Sequence, residues 1–138
     1  MEMNNLAQLK GKVVLYARTA SSHPNDAACI GLQMGKLRDF AKQQGFEDYV
    51  EYWDDGYSGH NANRPRFIEI NREIEDGAVG IVIVKCIDRI FRNCILAYEW
   101  QRRVESMGVT VLAMDGSHEP PSIENIFKGL LKQPQTAV

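Results

Sequence analysis

The stretch that decides the fold is residues 81–93, which reads IVIVKCIDRIFRN. Its first four residues form an apolar run with the length and composition of a buried strand. Asp88 and Arg89 follow, with Arg92 three residues later, and on a helix opening just before them Asp88 and Arg92 would share a face. A proton carrier beside two guanidiniums, which suit phosphate oxygens, predicts a phosphate-handling site. An ordinary ion pair at the start of a solvated helix would give the same spacing.

Other apolar runs of this kind occur on both sides of that stretch. We predict strands at residues 13–16, 49–52, 81–84 and 109–112. The sequence between the runs has helical periodicity, so the order is β-α-β-α-β-α-β. This alternation predicts an α/β fold of three layers, in which a mainly parallel sheet has helices on both faces.

The three predicted helices are marked by apolar spacing and by residues typical of helix ends. The first carries Ile30, Met34, Leu37 and Ala41, with Asn25 or Asp26 as its expected cap and Gly45 at its end. The second starts at Pro65, buries Phe67, Ile70 and Ile74 and stops at Gly77. The third carries Ala97, Trp100, Val104 and Met107 before Gly108.

Charged residues follow the predicted strands at the edge where ligands of such sheets gather. They are Arg18, Asp54, Asp55, Asp88 and Asp115. We therefore expect a functional site at the carboxyl ends of the strands, although some of these acids are expected to be helix caps.

Composition places limits on the function. The 138 residues suit one compact domain, and the net charge of −2 gives no basic footprint for strong, stand-alone DNA binding. No apolar stretch is long enough to cross a membrane, so we expect a cytoplasmic protein. Cys29, Cys86 and Cys94 lack the spacing of metal ligands and are expected to be reduced, half-buried thiols. The scattered histidines suggest no metal site either.

Five short motifs occur in one order along the chain. They are Y-A-R at residues 16–18, Gln33, D-D-G-Y-S-G at 54–59, R-P at 64–65 and D-R-x-x-R-N at 88–93. Together they resemble the catalytic domain of serine recombinases, the resolvase and invertase group, over about residues 12 to 115. The resemblance implies residues 1–11 as an N-terminal extension, 12–116 as the resolvase-like catalytic domain, and 117–138 as a linker and the start of a C-terminal helix. The segment from Ser122 to about Gln133 is expected to be that helix, and no signature of a DNA-binding domain is present.

The resemblance implies site-specific DNA recombination, as in mobile elements, by cleavage and rejoining without metal or other cofactor. A serine attacks the DNA phosphodiester and becomes linked to the 5′ end. DNA is the implied partner, with self-association of the full-length protein. Carried over by position, the catalytic residues would be Ser21, Arg18, Arg64, Asp88, Arg89 and Arg92. Gln33, Ser58 and Asp55 would support them.

The chain departs from the family pattern at the nucleophile. The family has a serine two residues after the arginine of Y-x-R, whereas this sequence has Ala20, followed by Ser21 and Ser22. In an extended strand Ala20 would share a face with Arg18 and Ser21 would point away, so Ser21 needs a bulge or a tight turn to reach the site. Both serines could equally be loop residues that cap the next helix.

Two other functions remain open. The first is a recombinase-like module that has lost cleavage and binds DNA or assembles beside an active partner, which Ala20 favours. The second is a magnesium-dependent, receiver-like domain with Asp54, Asp55 and Asp115 as oxygen ligands. A phosphate loop at residues 31–36 is excluded, because the glycine spacing is one residue short and Leu37 stands where a hydroxyl residue is needed.

Overall fold

The computed structural model describes residues 11–20, 24–58 and 63–119, with the backbone alone for residues 24–29. Strands and helices alternate within these ranges, as the sequence predicts. They are β1 (Lys12–Thr19), α1 (Pro24–Gln43), β2 (Val50–Asp55), α2 (Pro65–Glu75), β3 (Val79–Val84), α3 (Cys94–Ser106) and β4 (Thr110–Ala113). A short 3-10 helix, Ile87–Arg89, lies between β3 and α3.

The four strands form one parallel sheet in the order β2-β1-β3-β4. In the register of β1 with its two neighbours, Tyr16 of β1 lies beside Tyr52 of β2 and Val84 of β3. All six residues of β3 are buried, because helices cover a parallel sheet on both faces. The predicted mainly parallel sheet is confirmed.

Alternate residues of the strands belong to two separate cores. On one face, Val14 and Tyr16 pack with Phe67 of α2 and Trp100 of α3. On the other face, Leu15, Ala17, Ile81 and Ile83 pack with Met34, Leu37 and Ala41 of α1. The predicted three-layer α/β/α fold is therefore confirmed.

Several predicted helix ends need correction. Helix α1 begins at Pro24, so Asn25 and Asp26 lie in its first turn and the prediction that one of them caps it was wrong. Proline is favoured at the first helical position because it has no N–H to satisfy. Gly45 follows α1 with a φ of 93°, which confirms the predicted stop. Met107 was predicted to be on the apolar face of α3, but it lies at the end of the helix with 44% of its surface exposed.

The segment after β3 also differs from the prediction. The side chain of Asn93 accepts hydrogen bonds from the N–H groups of Ile95 and Leu96, and α3 starts afresh at Cys94. Asp88 lies in the short 3-10 helix and Arg92 lies beyond it. The two residues therefore do not share a helix face, and that prediction was wrong.

Some predictions concern other parts of the chain. Ser21, Ser22, the extension up to residue 10 and the helix expected near residues 122–133 lie outside the described residues. Cys86 and Cys94 are free thiols, but Cys94 is exposed rather than half-buried. Among the described helices, none is long and apolar enough to span a bilayer.

Candidate active site

The carboxyl edge of the sheet brings the predicted residues of β1, β2 and the β3–α3 segment together. Arg18, near the end of β1, is the register partner of Asp54 in β2, and Thr19 is the partner of Asp55. The side chain of Arg18 reaches the main chain of Asp88 and Arg89. This edge is consequently where charged groups from three segments meet.

Asp54 is a buried carboxylate that caps the first turn of α2. Its Oδ1 accepts a hydrogen bond from the main-chain N–H of Arg66 at 3.0 Å, and its Oδ2 accepts from the N–H of Phe67 at 3.0 Å. Oδ2 also accepts from the hydroxyl of Tyr16 at 2.7 Å, and burial raises the pKa of this hydroxyl. Arg64, the residue before α2, makes no side-chain cap, so Asp54 supplies the missing acceptor from a neighbouring strand.

Arg64 is fully buried, with 0% of its surface exposed. Its Nη1 donates to the hydroxyl of Tyr16 at 3.1 Å and to the carbonyl of Arg89 at 2.8 Å, and its Nη2 donates to the carbonyl of Ile90. The guanidinium carbon lies 4.2 Å from the ring centre of Phe67, a cation–π contact. Burial lowers the pKa of Arg64 from its ordinary value.

Arg18 is also buried, and its guanidinium binds three main-chain carbonyls. Nε donates to the carbonyl of Arg89 at 3.0 Å, Nη1 to that of Tyr57 at 3.0 Å and Nη2 to that of Asp88 at 2.9 Å. Burial, and then the charges of Arg64 and Arg89, lower the pKa of Arg18. Arg18, Arg64 and Arg89 thus place three positive charges near one another at this edge.

Arg18 and Arg64 together hold the turn at residues 88–90. They bind all three of its carbonyls, and both donate to the carbonyl of Arg89. The two arginines therefore fix the backbone from which Asp88 and Arg89 project. A direct contact between either guanidinium and a phosphate stays a prediction.

Gln33 binds the main chain at the end of β1 from helix α1, which packs on the sheet face opposite to α2 and α3. Its Oε1 accepts from the N–H of Arg18 at 3.1 Å, and its Nε2 donates to the carbonyl of Arg18 at 3.3 Å. The amide thus pairs with the main chain as a neighbouring strand would. This contact gives a physical basis for the supporting role that was predicted for Gln33.

Asp88 and Arg89 are more accessible than the two buried arginines. The side chain of Asp88 is 53% exposed and that of Arg89 is 26% exposed, and 3.8 Å separates Asp88 Oδ1 from Arg89 Nε. Cys86 Sγ donates to Asp88 Oδ1 at 2.7 Å, and burial together with this bond raises the pKa of Cys86 to about 11. Arg89 Nη1 donates to the carbonyl of Arg18 at 3.2 Å. Arg92 is exposed and does not line the pocket described below.

Asp55 and Thr19 join the ends of β1 and β2. The Thr19 hydroxyl donates to Asp55 Oδ1 at 2.6 Å, and the Thr19 carbonyl accepts from the N–H groups of Gly56 and Tyr57. The turn after β2 is thus bound to β1 through Thr19. Ser58 follows this turn and is exposed.

A pocket of about 310 Å³ opens beside these residues. The described residues that line it are Thr19, Ala20, Leu32, Gln33, Lys36, Lys85 and Arg89. Three of the seven are cationic and none is acidic. The pocket therefore combines positive charge with residue 20, the position at which the resembled family has its nucleophile.

Comparisons with known proteins agree with this geometry. The family described as Resolvase, N terminal domain matches residues 13–133 of the sequence. The chain belongs to this family, which comprises the catalytic domains of serine recombinases. No functionally curated protein matches the chain.

Solved structures share the resolvase fold at low sequence identity. The N-terminal catalytic domain of TP901-1 integrase is similar with a TM-score of 0.71 and 23% identity, over 90% of this chain and 93% of that chain. A serine recombinase from Sulfolobus solfataricus gives a TM-score of 0.65 and 24% identity, over 89% and 79%. A resolvase family site-specific recombinase from Streptococcus pneumoniae gives 0.65 and 22%, over 91% and 89%.

Lys36 and Lys85 line the candidate pocket, and the sequence analysis did not predict either of them there. Lys85 directly follows β3, so its place at the carboxyl edge could have been predicted from the strand alone. Lys36 lies three residues after Gln33 in α1 and therefore on the same side of the helix. Neither lysine belongs to the motifs that carry the family resemblance.

The acids do not form a magnesium site of the receiver type. Asp54 uses both carboxylate oxygens to accept from N–H and O–H donors, and Asp115 Oδ1 accepts from the N–H of Ser117 at 2.9 Å. In the described part of the chain, no group of three or more potential ligands could hold a metal ion. This geometry counts against the receiver-like alternative.

Proposed function

We propose that the chain is the strand-cleaving domain of a site-specific DNA recombinase. The observation that carries this proposal is the cationic pocket at Ala20, in a chain that belongs to the resolvase family. A phosphodiester is an anion, and pre-aimed cations stabilise the charge that grows on its oxygens during phosphoryl transfer. The proposed chemistry uses no metal.

In the proposed reaction, a serine hydroxyl gives up its proton as its oxygen bonds to the DNA phosphorus, and the bond from phosphorus to the 3′ oxygen breaks. The protein is left linked to the 5′ phosphate, and the 3′ oxygen takes up a proton. Ser21 is the proposed nucleophile and Asp88 the group that moves a proton or orients an arginine. Arg89 would contact the phosphate oxygens from the pocket lining, and Arg92, which is exposed outside that lining, would contact the same phosphate from the solvent side. Rejoining reverses these steps on an exchanged strand.

Arg18 and Arg64 would act mainly by holding the turn that presents Asp88 and Arg89. Their hydrogen bonds to the main-chain carbonyls of residues 88–90 support this positioning role. Each guanidinium has five N–H donors, so Arg18 keeps donors that a phosphate could also use. Gln33, Asp55 and Ser58 would support the strand ends and the turn. DNA and further copies of the chain are the proposed partners.

The covalent protein–DNA adduct provides the test. We would incubate the wild-type chain with DNA from the ends of its own genetic element and detect the adduct on denaturing gels, and then locate it by peptide mass spectrometry. We expect an adduct at Ser21 that is lost in Ser21→Ala. An adduct mapped to Ser22 or Thr19 would reject Ser21 as the nucleophile but retain the reaction.

A silent, DNA-binding or assembly module is the second candidate function. It is favoured by Ala20, whose exposed methyl group lines the pocket where the family has a hydroxyl. If the wild-type chain makes no adduct and Ala20→Ser does, the natural chain is such a module with the rest of its site intact. If neither protein makes an adduct, cleavage is rejected for this chain.

A further inference from the structure

Lys36 and Lys85 line one pocket from two different segments of the chain. Lys36 projects from α1, and Lys85 follows β3 directly. Arg89 lines the same pocket, so three cations from three segments surround about 310 Å³ of space. The pocket is therefore locally rich in positive charge, whereas the whole chain has a net charge of −2.

Neither lysine forms an ion pair with a described residue. Other cations of the described chain do have carboxylate partners: Lys12 Nζ lies 2.8 Å from Glu73 Oε1, and Arg38 Nε lies 2.5 Å from Glu51 Oε2. Among the described residues that line the pocket, none is an acid that could neutralise Lys36 or Lys85. Two lysines thus line the same pocket as Arg89, and neither is neutralised by a carboxylate of the described residues.

The remaining lining residues suit a phosphate that belongs to a nucleic acid chain. Leu32 lines the pocket and is 68% exposed, an apolar surface that a sugar can cover. Ala20 adds a small apolar group, and the buried amide of Gln33 is already paired with the main chain of Arg18. The pocket therefore offers cations for the phosphate and an apolar wall beside them.

We propose that Lys36 and Lys85, together with Arg89, bind the DNA phosphodiester that faces residue 20. The inference rests on the proposed function and deepens it, because it assigns direct phosphate contacts to two lysines outside the family motifs. Lysine provides a point charge for a phosphate oxygen, and Arg89 adds planar donors. Arg18 and Arg64 then hold the turn, while the open cations hold the substrate.

The test is the salt dependence of DNA binding. We would measure fluorescence anisotropy of a labelled 30-base-pair duplex with the full chain and with Lys36→Gln and Lys85→Gln. Each phosphate contact contributes ~0.9 to the slope of log K against log salt, which is about 3.5-fold in affinity between 50 and 200 mM salt. We expect each substitution to lower the slope by about that amount.

Lys42→Gln is the matched control. Lys42 is an exposed lysine in the last turn of α1, and it lines a different cavity with Gly45, Phe46 and Glu47. We expect its slope to equal that of the wild-type chain. Equal slopes for all four proteins, or no binding by the wild-type chain at the lowest salt, would overturn the inference.

A second measurement locates the phosphate. Inorganic phosphate titrated into ¹⁵N-labelled protein should shift the amide signals of Ala20, Gln33 and Lys85, and these shifts should weaken in the Lys36→Gln variant. Signals that move only elsewhere would reject the pocket as the binding site.

The adduct assay separates this inference from the proposed function. If no adduct forms even with Ala20→Ser but the slopes depend on the two lysines, cleavage is rejected and the phosphate site stands. If an adduct forms and the slopes are unchanged, the reaction stands and the lysines have no direct role.

Discussion

Asp54 is expected to be essential for stability because it joins three parts of the sheet edge. In Asp54→Ala, the first turn of α2 loses the acceptor for two N–H groups, a cap worth about 0.5–2 kcal/mol. The Tyr16 hydroxyl loses its acceptor, which costs about 1–3 kcal/mol in a buried place. The buried Arg64 also loses the favourable charge of Asp54. We expect the free energy of unfolding to fall by roughly 3–5 kcal/mol, a large part of a typical domain's stability.

Urea unfolding monitored by far-ultraviolet circular dichroism measures this loss. Asp54→Asn keeps one acceptor oxygen but turns an NH₂ group toward existing donors, so an intermediate loss is expected. Asp39→Ala is the control, because Asp39 is exposed on α1 and should change stability by no more than about 0.5 kcal/mol. A loss below about 1 kcal/mol for Asp54→Ala would show that the buried cap does not hold the edge together.

Three further predictions concern helix propensity, a buried arginine and a thiol. Gly31→Ala and Gly35→Ala should each stabilise α1 by about 0.5–1 kcal/mol in urea unfolding, because a Cβ at either position meets nothing within 4 Å; a loss of stability would contradict this. Arg64→Lys should cost roughly 2–4 kcal/mol, since an ammonium cannot serve all the acceptors of the planar fork; wild-type stability in the same assay would refute the buried contacts. Cys86, with its pKa raised to about 11, should react with iodoacetamide at pH 8 more slowly than the exposed Cys94, as followed by peptide mass spectrometry. Equal labelling rates for Cys86 and Cys94 would contradict the burial of the Cys86 thiol. Because the pKa of Cys86 is higher in the folded than in the unfolded protein, the stability that Cys86 contributes is present below about pH 9. This stability is lost as the pH rises through 11.

The strands and the layer order could be predicted from the sequence because apolar runs carry a strong signal. The run at residues 81–84 lies in the centre of the sheet, where both faces are covered, so all its residues are apolar and buried. Pro65 and Gly77 mark the ends of α2 through local backbone chemistry. These signals depend only on neighbouring residues, and the structure agrees with them.

The segment after β3 could not be predicted from spacing alone. The D-R-x-x-R pattern suits one continuous helix face, but Asn93 offers its side chain to the N–H groups of Ile95 and Leu96. This local cap competes with continuation of the helix, and the backbone at residues 88–90 is instead fixed by arginines from distant positions. The i,i+4 relation in the sequence therefore had no structural counterpart.

The environments of the arginines could not be predicted either. Arg64 precedes a proline that starts a helix, a place where a solvated side chain is usual. In the structure it is enclosed by Tyr16, Phe67 and Phe91, with ring centres 5.9, 4.2 and 5.3 Å from its guanidinium carbon. Two of these rings come from parts of the chain that meet only when the sheet and helices have assembled. A motif identifies such an arginine without indicating which groups it contacts.

Residue 20 lies at the proposed reaction site but in neither of the two hydrophobic cores. Ala20 is exposed at the pocket, whereas the cores and the capped helix depend on residues on either side of it, such as Ala17 and Asp54. A change between serine and alanine at this position therefore alters the reacting atoms and leaves the packing and the buried arginine network in place. Loss of a nucleophile under such conditions would leave the proposed phosphate-binding cations in place, because Lys36 belongs to α1 and Lys85 directly follows β3. On this proposal, the domain can keep its cationic pocket whether or not its own serine cuts DNA.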